Sequence, residues 1–124
     1  MYQRMSVEPL QESGTAALRF VIGNSAALLD ANEIDKLILQ LGQIRAHMLP
    51  APPPQPEAST SYPLEIDPCW HVDRTPIFEG VVLLLRHAGY GWLAFSLPPP
   101  SLSRLDMALT AQPSMQFAMS SLVN

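Results

Sequence analysis

The segment that most constrains the fold of this chain is the run 80–86, Gly-Val-Val-Leu-Leu-Leu-Arg. In an extended strand, successive side chains point to opposite faces of the sheet. One face of this run carries Val82 and Leu84, and the other carries Val81, Leu83 and Leu85. A strand that is apolar on both faces is stable only when other elements flank and cover it. The run therefore predicts a central strand in a sheet with two apolar faces.

A second pattern predicts a helix between Asp30 and Met48. Asp30 can cap the helix N-terminus, and Glu33 three residues later completes a capping box. Leu29 and Ile34 fall at the two positions of a hydrophobic staple. The apolar stripe of the helix consists of Ile34, Leu37, Ile38, Leu41, Ile44 and Met48. We interpret this stripe as a face that packs on the sheet, with a partner-binding helix as the alternative.

Three further segments have the alternating pattern of strands. They are residues 15–22, 66–75 and 92–97. The glycines within 88–91 predict a hairpin turn. Residues 98–100 are prolines that stop the sheet, and Ser103 with Asp106 has the capping-box spacing of a second, shorter helix. The order β-α-β-β-β-α predicts an α+β fold, with an antiparallel meander packed on one amphipathic helix.

The length of 124 residues suits one ordinary domain. Residues 1–14 are mostly polar and predict a flexible N-terminal arm. Residues 15–112 are expected to form the single α+β domain. Within it, the Pro-rich segment 50–63 is interpreted as a semi-rigid connector, with a ligand for an aromatic-lined groove as the alternative. Residues 113–124 are expected to be a tail that docks on a partner subunit, with a short strand or a helical turn as the alternatives.

Charge and composition exclude several classes of function. The net charge is −4, the isoelectric point is about 5.1 and Lys36 is the sole lysine, so nucleic acid is not an expected partner. The apolar run 81–85 is too short to cross a bilayer, so no membrane role is expected. Cys69 is the single cysteine, which favours a reducing, cytoplasmic location. The preference for arginine, alanine and proline is typical of a GC-rich bacterial genome.

The residues with most chemical potential lie in one predicted strand. Cys69, His71 and Asp73 would share one face of it and are weak candidates for a metal site. We interpret them instead as a solvated face opposite Trp70 and Val72. A Cys69–His71 nucleophile pair is a further alternative. Neither a catalytic motif nor a cofactor-binding motif occurs, so no enzyme and no cofactor are predicted.

The predicted sheet has more apolar surface than the predicted helices can cover, and this excess predicts contact with another protein molecule. Two apolar faces and one long helix leave surface uncovered, and monomers rarely leave such patches open. The predicted interface residues are Val81, Leu83, Leu85, Phe117 and Met119. The sequence therefore predicts a small non-enzymatic protein that acts through protein–protein interaction, as a homodimer or with another protein as its partner. The alternative is a small-molecule or metal-binding protein that uses Cys69, His71 and Asp73.

Overall fold

The computed structural model describes residues 2–12, 14–111 and 118–119, and it confirms the predicted α+β class. The chain divides into two compact units, Met1–Pro52 and Pro53–Asn124. The elements of the first unit are β1 (Met5–Glu12), β2 (Thr15–Ile22), β3 (Ser25–Leu29) and α1 (Ala31–Ala46). The elements of the second unit are β4 (Ser61–Tyr62), β5 (Trp70–Asp73), β6 (Val81–His87), β7 (Gly91–Leu97), α2 (Pro99–Thr110) and β8 (Ala118–Met119).

The first unit contains a three-stranded antiparallel sheet in the order β1-β2-β3. β1 lies within residues 1–14, where we expected a flexible arm, and β3 lies between the predicted strand 15–22 and the predicted helix, where no strand was predicted. The difference has a physical reason. β1 pairs with β2 along its whole length, and this pairing satisfies its backbone N–H and C=O groups. Its polar residues interrupt the apolar alternation by which a strand is predicted from sequence. Arg19 Nη1 lies 3.4 Å from Glu8 Oε2 across this pair.

Helix α1 begins as the sequence predicts. The Glu33 N–H donates to Asp30 Oδ1 at 2.8 Å, and the Asp30 N–H donates to Glu33 Oε1 at 3.2 Å, so the capping box is confirmed. The helix contacts β2 and β3. The half-buried members of its apolar stripe are Ile34, Leu37 and Ile38, and the exposed members are Leu41, Ile44 and Met48. The first half of the stripe therefore provides the packing.

The second unit contains the predicted antiparallel meander, in the order β5-β6-β7. β6 is the central strand, as its apolar residues require. β5 has four residues, fewer than the predicted strand 66–75, because Pro68 and Pro76 cannot donate to a ladder. Gly80 precedes β6 with φ 86°, a conformation that favours glycine.

Helix α2 begins earlier than we predicted. Its N-cap is Pro98 without a side-chain hydrogen bond, so the predicted capping box of Ser103 and Asp106 is wrong. Proline is suited to the first helical turn, because its φ angle is already helical and that turn has no partner for its N–H. In the tail, Ala118 and Met119 form β8, which pairs in parallel with β4. The rest of the expected docking tail, Phe117 included, lies outside the described residues.

Few side chains in this fold are buried. Of the side chains that the structure describes, Val81 alone is buried, at 4% exposed. The other residues of β6 up to Leu85 are half-buried. Within residues 2–12, 14–111 and 118–119, no helix is long and apolar enough to cross a membrane.

Candidate functional site

The register of the meander gathers apolar residues from three strands on one side. Neighbours across an antiparallel pair point to the same face. Val72 is paired with Leu83, and Leu83 is paired with Phe95. We call the resulting surface the apolar face. It consists of Trp70, Val72, Val81, Leu83, Leu85, Leu93, Phe95 and Leu97, all of which are hydrophobic.

The apolar face is only partly covered. Trp70 is 66% exposed, Val72 is 43% exposed and Phe95 is 47% exposed, and all three lie on the outer strands. Leu83 and Leu85 on the central strand are half-buried. Contiguous apolar surface of this kind on a small protein typically marks a site of contact with another molecule.

The structure places three of the five predicted interface residues on the apolar face. Val81, Leu83 and Leu85 all lie there, although Val81 retains little accessible surface. Met119 lies in β8 at the register position opposite Tyr62, and Phe117 lies outside the described residues. The most exposed members of the apolar face are Trp70 and Phe95. Their alternation with polar neighbours was visible, but only the register shows that both share a face with Leu83.

The opposite side of the meander, which we call the mixed face, carries two of the predicted metal candidates. It consists of His71, Asp73, Val82, Leu84, Arg86, Trp92, Ala94 and Ser96. His71 and Asp73 are exposed, and Asp73 Oδ1 accepts a hydrogen bond from the Arg74 N–H at 2.9 Å. Among the residues that the structure describes, no three His, Cys, Asp or Glu side chains converge to hold a metal ion.

Cys69 lies in an open groove of about 200 Å³ beside the start of β5. Arg86 Nη1 lies 3.7 Å from Cys69 Sγ, and the Arg86 N–H donates to the Cys69 carbonyl oxygen at 3.0 Å. The thiol is therefore beside a guanidinium group and not beside His71, the base that the sequence offered. Pockets for small-molecule ligands usually exceed about 300 Å³, so this groove is small for such a ligand.

His87 and Glu65 together hold the β6–β7 turn. His87 Nδ1 accepts hydrogen bonds from the N–H groups of Gly89 at 2.9 Å and Tyr90 at 3.1 Å. The ring proton of neutral His87 is therefore on Nε2, which lies 3.3 Å from Glu65 Oε1. The same carboxylate oxygen accepts from the Ala88 N–H at 3.1 Å. His87 thus caps the turn, and nothing in the spacing of the sequence indicated the contribution of Glu65.

Comparison with known proteins found no match to this chain. No protein family matches the chain, and neither a curated protein nor a solved structure matches it. The function is therefore inferred from the chain's own surfaces, and in particular from the apolar face, on which three strands gather hydrophobic side chains.

Proposed function

We propose that this chain is a small non-enzymatic protein that self-associates and acts through protein–protein contact, with the apolar face as its contact surface. The observation that supports the proposal is the exposure of Trp70, Val72 and Phe95 on a face without a charged side chain. A surface with so few polar groups cannot bind a ligand by directional hydrogen bonds. Its contribution to binding comes from the removal of apolar area from water.

The magnitude of that contribution sets the expected affinity. Aromatic side chains each offer about 150–250 Å², and the exposed parts of the apolar face amount to roughly 400 Å² on each copy. A standard specific interface buries about 800 Å² per partner. The apolar face alone therefore favours a weak dimer, with a dissociation constant on the order of micromolar. Self-association should accordingly depend on protein concentration over the micromolar range.

A second copy of the chain is the partner that this chemistry fits best. An uncharged apolar face excludes partners with charged contact surfaces, because their charges would lose water without gaining a counterion. A second apolar face is complementary in this sense, and packing two sheets face to face about a two-fold axis makes the same patch serve both copies. We also propose a cytoplasmic location, which the single cysteine favours.

A charge on the apolar face tests this proposal. We expect Val72→Lys to weaken self-association at least about tenfold, because the ammonium group must be desolvated at the contact. The matched control is His71→Lys, which introduces the same group at the neighbouring exposed position on the mixed face. Sedimentation velocity over the micromolar range measures both. A single 13.6 kDa species for the unmodified chain, or equal losses in both variants, would reject the apolar face as the contact.

A further inference from the structure

The two edges of the meander differ in a way that points to a second contact. β5 is a four-residue edge that contains Asp73 and lies between Pro68 and Pro76. β7 is a seven-residue edge, Gly-Trp-Leu-Ala-Phe-Ser-Leu, without charge or proline. Natural proteins protect edge strands with charges, prolines, short length or a covering element. β5 has the first three of these protections, and β7 has neither charge nor proline nor short length.

The direction of the backbone groups of β7 follows from one hydrogen bond. The Arg86 N–H donates to the Cys69 carbonyl oxygen, so the backbone groups of Arg86 point toward β5. The N–H and C=O groups of alternate residues point to alternate sides of a strand. Leu85 and Leu83 therefore bond to β7, through their register partners Leu93 and Phe95.

It follows that the N–H and C=O groups of Trp92, Ala94 and Ser96 point away from β6. Among the described residues, no strand pairs with this outer side of β7. Six of the seven β7 residues are exposed, and Leu97 is half-buried. The edge therefore presents a regular series of donors and acceptors that another strand can meet.

We propose that β7 pairs antiparallel with β7 of a second copy, about a two-fold axis that passes between the two Ala94 residues. In this register Trp92 lies opposite Ser96 of the second copy, and the two Ala94 residues face each other. The pairing makes about six backbone hydrogen bonds. It also brings Leu93 beside Phe95 of the second copy, so the apolar faces of the two copies join into one six-stranded surface.

Two observations favour a second copy over an unrelated extended peptide. An antiparallel pair centred on Ala94 is self-complementary, with the smallest non-glycine side chain of β7 at the axis. In addition, edge pairing joins two apolar faces, each about half of a standard interface, into one surface of about standard size for the proposed face-to-face contact with further copies. The other uncharged edge is β3, which is shorter, with five residues against seven in β7; each of these two edges contacts a helix. The inference shares with the proposed function only the need for a second copy.

Cysteine cross-linking tests this pairing directly. In a Cys69→Ser background, we expect a short bis-maleimide to link Ala94→Cys into a covalent dimer. The two Cβ atoms of a hydrogen-bonded pair lie about 5.5 Å apart, which is too far for an unstrained disulfide but within reach of the linker. The matched control is His71→Cys, which lies in the same cross-strand row and on the same face, at the opposite edge. We expect Ala94→Cys to cross-link about tenfold faster than His71→Cys, through the effective concentration of a docked pair.

The same cross-link separates this inference from the proposed function. With Val72→Lys added, the Ala94→Cys dimer should still form if the edge contact is independent of the apolar face. Equal cross-linking rates for Ala94→Cys and His71→Cys would overturn the edge pairing and leave the apolar-face contact standing. If Ala94→Cys still cross-links faster than His71→Cys while Val72→Lys and His71→Lys sediment alike, the edge pairing stands and the apolar-face contact is rejected.

A proline in β7 provides a second, cysteine-free measurement. Ala94→Pro removes an outward N–H and no hydrogen bond to β6, a position where edge strands tolerate proline. We expect the circular dichroism spectrum to be retained and the sedimentation coefficient to fall. The control Ala94→Ser keeps the N–H and should sediment like the unmodified chain. If Ala94→Pro retains both the spectrum and the assembly size, an edge pairing through the Ala94 N–H is overturned.

Discussion

The two three-stranded sheets of this chain have the same antiparallel order but differ in cover and in edges. In the first sheet, α1 contacts β2 and β3, and in the second, the contact of α2 is with β7. The edge strand β1 carries Glu8 and Pro9, whereas β7 carries neither a charge nor a proline. Each sheet therefore has one protected edge and one uncharged edge, and the sheets differ in the helix that packs on them and in the length of the uncharged edge, five residues in β3 and seven in β7.

The largest expected effect comes from breaking the second sheet at Gly80. The φ angle of Gly80 is 86°, and a Cβ atom added there would collide with the carbonyl oxygen of Leu97. We expect Gly80→Ala to lower the free energy of unfolding by about 3 kcal/mol, from backbone strain and steric overlap together. Urea denaturation followed by circular dichroism measures this change.

The control for Gly80→Ala is Gly42→Ala in the helix that packs on the first sheet. A Cβ atom at Gly42 would meet nothing within 4 Å, and alanine is favoured over glycine in a helix interior by up to about 1 kcal/mol. We expect this variant to be more stable than the unmodified chain. Destabilisation by Gly42→Ala would indicate a close contact at the helix. An unchanged free energy of unfolding for Gly80→Ala would contradict the close approach of Gly80 to the carbonyl oxygen of Leu97.

Dilution tests the difference between the two sheets, because self-association should stabilise the second sheet and leave the first unchanged. If the meander is the contact surface, a hundredfold dilution toward the dissociation constant lowers its stability by up to about 2.7 kcal/mol. Hydrogen exchange detected by mass spectrometry should therefore be faster at low concentration for amides of β6 and β7. The amides of β2 serve as the internal control and should keep their rates. Equal acceleration in β2 and β6 would contradict a contact confined to the meander.

The smallest expected effect comes from removing the N-terminal cap of α1, the helix that packs on the first sheet. Asp30→Ala removes the side-chain acceptor that binds the Glu33 N–H, and loss of such a cap costs about 1 kcal/mol. Asp35→Ala removes an exposed carboxylate of the same helix that caps nothing, so it should change stability by less than about 0.5 kcal/mol. Thermal unfolding of both variants distinguishes them, and equal changes would show that the capping box adds no stability.

Local patterns in the sequence were sufficient for elements that local interactions stabilise. The capping box of Asp30 and Glu33 acts over three residues, so its spacing alone predicts the start of α1. The run 80–86 is apolar on both faces, so its central place in a sheet follows from the residues themselves. Prediction failed at β1, because a strand rich in polar residues depends on a distant partner for its hydrogen bonds. It failed also at α2, where proline starts a helix and does not merely end a sheet.

The candidate site was predicted in part for the same reason. Val81, Leu83 and Leu85 were expected to share a face, because alternation within a strand is a local property. That Trp70 and Phe95 lie on that same face depends on the register of three strands, which turns and distant pairs set. Glu65 reaches the turn at Ala88 across 23 residues, and no local spacing encodes such a contact.

By itself, the sequence determined that this chain makes more apolar strand surface than its helices can cover, since composition and alternation are fixed by the order of residues. The tertiary structure alone decided where that surface collects. Cross-strand register aligned eight apolar side chains on one side of the meander, and sheet order left β7 at an edge. Both outcomes depend on hydrogen bonds between residues far apart in the chain, and such bonds have no signature in any short stretch of sequence.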